Sequence, residues 1–177
     1  MTEPMSATPN QKTSTGPLQR LRETRAIKAT PRLARLAMNL YPPFIGAGIR
    51  ITSISDDWRE VQVAMPLRWY NKNAAGTHFG GSLFAMTDPI LMLMLMQILG
   101  REYVIWDKAS SIEFVKPGRG TVRAVFTINE EEVAVIRERT ADGSKYLPEF
   151  SVMIVDEQDE LVAKVEKVLY IRKKRPD

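Results

Sequence analysis

Apolar residues fall at every second position in EVQVAMPLRWY, where Val61, Val63 and Met65 alternate with polar neighbours. That period predicts a half-buried strand. The run before it, GIRITSISDDW, alternates less regularly through Ile49, Ile51 and Ile54, and Asp56-Asp57 between the two reads as a hairpin turn. Further on, YVIWDKASSIEFVKPG predicts a long strand closed by Pro117-Gly118. TVRAVFTIN predicts another, with Val122, Ala124, Phe126 and Ile128 on one face. YLPEFSVMIVDEQDELVAKVEKVLYIRKK predicts a long hairpin that turns near residues 157–160. Two segments follow a helical period instead. Thr30-Pro31 reads as an N-cap with proline at the first helical position, followed by Leu33, Leu36, Ala37 and Leu40 and ended by Pro42-Pro43. EEEVAVIRERT reads as a short helix, and no internal repeat is present.

Between the second and third strand runs lies a helix that is apolar almost all round: Leu83, Phe84, Met86, Ile90, Leu91, Met92, Leu93, Met94, Leu95 and Met96. Such a helix has to be covered on nearly every side. One curved antiparallel sheet wrapped around it does that, so the element order predicts an α+β hotdog fold. The longest apolar run, PILMLMLMQIL, has 11 residues, against about 20 for a membrane span. It reads as a core helix.

Composition narrows the picture. A chain of 177 residues with 44% apolar content supports one domain. Residues 1–16, rich in Thr, Ser, Pro and Asn, read as a disordered tail; 17–44 as an N-terminal helical segment; and 45–175 as the hotdog domain. The absence of cysteine excludes disulfides, thiolate metal sites and a cysteine nucleophile. A single histidine removes multi-histidine metal sites, so no metal and no cofactor are expected. No signal peptide is visible and a cytoplasmic protein is expected. The charge is uneven: residues 1–50 hold eight basic against two acidic residues, and the remainder 17 against 19. The basic excess belongs to the N-terminal arm, and without interleaved aromatic residues it gives no reason to expect nucleic acid.

The chemistry concentrates in NAAGTHFGGSLFAMTDPILM, residues 73–92. Gly80 and Gly81 open the helix, where unpaired N–H groups suit a carbonyl oxygen that becomes an oxyanion; tight helix-to-sheet packing asks for the same glycines. Asp88 lies about two turns into the apolar helix, where an ionised acid without a partner is costly. Either an arginine or lysine pairs with it, or it is a general base or nucleophile. Pro89 directly after it predicts a kink at the acid.

The pattern Asn73-x-x-Gly76-Thr77-x-Phe79-Gly80-Gly81, with Asp88 seven residues on, resembles the hotdog acyl-CoA thioesterases of the PaaI type. Their pattern is Asn-x-x-Gly-Thr-x-His-Gly-Gly with an Asp at the same distance. The strand ending SSIEFVKPGRG is similar as well. The resemblance implies an acyl-CoA substrate, with coenzyme A present only as part of it. It implies a homodimer or a dimer of dimers, with each site spanning two subunits. It assigns Gly80 the oxyanion N–H with Gly81 beside it, Asp88 the role of base or nucleophile, and Asn73 the orientation of water or thioester. Thr77, His78 and Phe79 would line the substrate.

Two positions depart from that pattern. Phe79 stands where the family has histidine, and His78 lies one residue earlier, which re-aims its side chain. Asp107 stands where some relatives carry serine, placed either to line the site or to pair with a surface cation. Lys116 and Arg119 flank the turn after the long strand and suit the phosphates of coenzyme A, although solubilising charge looks the same. The expected activity is thioester hydrolysis; the alternative, favoured by Phe79, is an acyl-CoA or lipid-binding hotdog protein without catalysis.

Overall fold

The computed structural model describes residues 30–175. The expected tail, 1–16, and residues 17–29 of the expected helical segment lie outside the described residues. Helix α1, Pro31–Asn39, starts as anticipated: the Thr30 hydroxyl accepts from the Leu33 amide and Pro31 occupies the first turn. Pro42-Pro43 do more than stop it. They occupy the first turn of a further helix, α2, Pro42–Ala47, where a missing N–H costs nothing.

Strands β1 (Arg50–Ile54) and β2 (Glu60–Pro66) form the first hairpin. Asp57 organises its turn by accepting from the Ser55 hydroxyl and the Arg59 amide. The apolar segment is not one kinked helix but two: α3, Gly80–Ala85, and α4, Ile90–Leu99. Residues 86–89 separate them, with a cis peptide between Asp88 and Pro89. Then come β3 (Tyr103–Phe114), β4 (Thr121–Thr127), α5 (Glu130–Arg139), the two-residue β5 (Lys145–Tyr146), β6 (Glu149–Val155) and β7 (Leu161–Lys173).

All pairings are antiparallel, in the order β1-β2-β4-β6-β7-β3, and β5 also pairs with β7. The inward residues of β4, Val122, Ala124 and Phe126, are buried, and so are Val61, Val63 and Met65 of β2. Against this face packs α4, burying Ile90, Leu91, Met94, Leu95 and Leu99. Met92 and Ile98 stay half-buried, so the sheet of one chain covers the helix on part of its circumference. This is a hotdog fold: a long antiparallel sheet around a central apolar helix.

Candidate functional site

Two groups of candidate residues form around the ends of α3. The first is the loop that enters it. Asn73 spends its hydrogen-bonding capacity inside that loop. Its Oδ1 accepts from the amides of Ala75 and Thr77, and its Nδ2 donates to the Thr77 hydroxyl at 2.9 Å and the His78 carbonyl at 3.2 Å. Gly76 has a positive φ of 73°, which makes the turn between them. Asn71 ties the same loop to its surroundings, donating to the carbonyls of Ala47 and Pro66.

The loop buries Thr77 and His78. His78 is held by its amide to the Gly118 carbonyl at 3.0 Å and by Nε2 to the Gly120 carbonyl at 3.1 Å. A carbonyl only accepts, so Nε2 carries the proton. Nδ1 is buried without a hydrogen-bond partner. Burial pushes the His78 pKa down, and the Gly120 bond opposes this. The ring is therefore neutral.

Phe79 points outward and caps α3. A Cβ on Gly81 would meet the Phe79 ring at 2.4 Å, and one on Gly80 would meet the Phe114 ring at 2.9 Å. Both glycines thus allow an aromatic ring to lie on the helix start. As the first residues of α3, their amides have no acceptor within the helix. Beside them opens a cleft of about 490 Å³, lined by Asn73, Thr77, His78, Gly80, Phe114 and Lys116 among others. Lys116 reaches Asp156 at 2.6 Å and also pairs with Glu160, so its charge is already shared. Arg119 is exposed on the same turn.

The second group forms at the break between α3 and α4. Asp88 stands there with its side chain 57% exposed. Behind it lies Lys167 of β7, a residue that sequence reasoning missed, with its side chain 1% exposed. Its ammonium lies 3.2 Å from the Thr87 carbonyl, 3.3 Å from Asp88 Oδ1 and 3.1 Å from Asp107 Oδ1. The Asp107 contact is an ion pair without hydrogen-bond alignment. Burial raises the Asp107 pKa; the Lys167 charge opposes that, and Asp88 adds to it. Asp88 thus has a lysine partner and a second carboxylate at once. It is not among the residues lining the cleft, so one chain keeps the two groups apart.

An apolar cavity of about 170 Å³ lies between α1, the first hairpin and α4, walled in part by Met38, Ile54, Trp58, Val61, Ile90 and Met94. Among the described residues, no group of three or more His, Asp or Glu side chains is placed to hold a metal ion.

Residues 30–171 match a family model described as "Domain of unknown function (DUF4442)". The chain belongs to that family. Among solved structures, this DUF4442 member is similar to a protein of unknown function and probable thioesterase from Pseudomonas aeruginosa. That pair has 20% identity over 80% of this chain and 95% of the other, with a TM-score of 0.69. It is also similar to a thioesterase from Haemophilus influenzae (16% identity, 82% and 92% of the chains, TM-score 0.62). A third is the E. coli PaaI protein from the phenylacetic acid degradation operon (18% identity, 80% and 91% covered, TM-score 0.56). These likenesses establish the shared hotdog fold. No curated protein matches the chain.

Proposed function

We propose that this DUF4442 protein hydrolyses an acyl-CoA thioester. The observation that carries the reading is the position of Asp88: a largely accessible carboxylate at the break of an otherwise apolar helix. Such a group is available to take a proton from water while the apolar surface beside it receives an acyl chain. The thioesterase names of the structural neighbours agree with it.

In this reading water adds to the thioester carbonyl as Asp88 takes its proton, and the oxygen of the adduct is held by the amide of Gly80 with Gly81 beside it. The C–S bond then breaks, the proton passes to the departing sulfur, and a carboxylic acid and free coenzyme A result. Direct attack by Asp88, followed by hydrolysis of the anhydride, gives the same products. Because Asp88 lies outside the cleft of its own chain, the reading joins Asp88 of one subunit to the Gly80 cleft of another in a homodimer or a dimer of dimers. Asn73, Thr77 and His78 shape the cleft, and Asn73 acts through the loop it organises. Phe114 supplies an apolar wall of the cleft, while Phe79, standing where the resembling family has histidine, lies exposed outside its lining. Arg119, more accessible than the paired Lys116, faces the phosphates of coenzyme A. The acyl tail lies along α4, and the cavity beside Ile90 and Met94 suits its end: a dry apolar cavity of roughly 150 Å³ holds a benzene molecule. A cytoplasmic setting, where acyl-CoA is plentiful, fits the reading.

The test is release of free thiol from a panel of acyl-CoA chain lengths, with wild type beside Asp88→Asn. Wild-type hydrolysis that falls at least about 100-fold in the variant is expected for loss of a general base. Equal rates would remove Asp88 from its role. A second reading, binding without hydrolysis, is favoured by the two rings that crowd the start of α3. Tight acyl-CoA binding by a protein that releases no thiol from any chain length would select it.

A further inference from the structure

We infer that Lys167 is the positioning residue of Asp88, and that Lys167, Asp88 and Asp107 act as one charge-sharing unit. The inference rests on the thioesterase reading for its rate measurement and on geometry for everything else. Lys167 occupies the inward face of β7, between buried Val165 and Leu169. An ammonium is retained in such a place when oxygens meet it. The Lys167 ammonium donates to the Thr87 carbonyl at 3.2 Å and to Asp88 Oδ1 at 3.3 Å, and Asp107 Oδ1 stands 3.1 Å away as an ion pair.

Each contact comes from a different part of the fold. Thr87 and Asp88 belong to the break between α3 and α4. Asp107 belongs to β3, where the register with β7 shifts between Asp107 and Ala109. A bulge of this kind re-aims the side chain beside it. The strand partners directly opposite Lys167, Phe150 on β6 and Ser110 on β3, carry no charge. On the other face of β7, Glu166 pairs with Lys164 at 2.7 Å. The charges facing the ammonium are therefore the two carboxylates.

This arrangement tunes Asp88 in two opposed ways. A cation beside a carboxylate favours the ionised form and a second carboxylate opposes it, and the Lys167 ammonium lies 3.3 Å from Asp88 and 3.1 Å from Asp107. The Thr87 carbonyl contact holds the ammonium in place, so the carboxylate orientation is set from behind while its other side meets solvent.

The unit makes predictions with opposite signs. Lys167→Met removes the cation, so the acid limb of the pH–rate profile should move up. Asp107→Asn removes the like charge, so the limb should move down. Lys167→Arg keeps the charge but not the compact geometry, and its limb should stay near wild type while kcat falls. For Lys167→Met the fall in kcat should be on the order of 10- to 100-fold with KM little changed, as expected when a reacting group is displaced. In parallel, carboxyl-carbon NMR titration of wild type, Lys167→Met and Asp107→Asn reads Asp88 directly, whether or not thioester turns over. Asp88 titrations displaced in opposite directions support the unit. Coincident titrations in all three proteins overturn it. A wild type that hydrolyses no thioester, yet shows these displacements, sinks the thioesterase reading and leaves the charge-sharing unit standing. Asp107→Asn keeps a cation opposite Asp88, so the comparison survives if Lys167→Met fails to fold.

Discussion

A neutral histidine shut into a loop ties stability to pH, and His78 is such a group. Its folded pKa lies below the ordinary 6.5 because burial disfavours the charged ring. The unfolded chain therefore binds the proton more readily. The stability that His78 contributes is present above about 6.5 and is lost as the pH falls through its lower folded pKa. Urea midpoints should thus drop between pH 7.5 and 5, and His78→Gln, which cannot titrate, should flatten that drop. An unchanged slope in the variant would assign the acid sensitivity to other groups. At this scale Lys167 was the residue least open to sequence reading. Its position between Val165 and Leu169 places it on the buried face by period alone, but a lysine in a run of alternating charges reads as solvent-facing. Asp88 was legible as an acid out of place. Asp107, 19 positions further along, was open to reading as a second carboxylate of the same site; Lys167, 79 positions on, was not.

Elements with their stop and start signals written locally were the most legible. Helix α5 carries the full device: the Asn129 side chain accepts from the Glu132 amide, and Glu132 returns the bond to the Asn129 amide. Three acidic residues occupy its first turn and two arginines its last, matching the helix dipole. Asn129→Ala should cost about 1 kcal/mol of folding free energy, measurable as a lowered midpoint in chemical denaturation. A loss near zero would mean that packing of Val133 and Ile136 alone holds the helix. The apolar segment was legible as a helix but not as two. Local pattern shows that Pro89 removes a hydrogen bond; whether the chain bends or breaks there is set by packing outside the segment. The short β5 exists because β7 runs past it, which no period within Lys145-Tyr146 announces.

Across the molecule, the sheet leaves β1 and β3 as edges. Strand β3 is long, and next to its end Phe114 and Val115 are exposed, as is Trp106, stacked on Tyr170 at 3.9 Å. Together with the half-covered face of α4, this is apolar surface and open strand edge of the kind that a second chain covers. Light scattering should give at least twice the 20.1 kDa of one chain. A monomer at micromolar concentration would leave the Gly80 cleft without an Asp88 and count against the two-subunit site. The strand order also sets a sequence of events in time. Among the described residues, strand β3 takes its place in the sheet through β7 alone, and β7 follows the other described strands in the order of synthesis. Until β7 arrives, β3 has no strand partner and Asp88 has no ammonium behind it. Pairings of such long sequence separation form late. The proposed chemistry is therefore withheld from a nascent chain until β7 has joined the sheet.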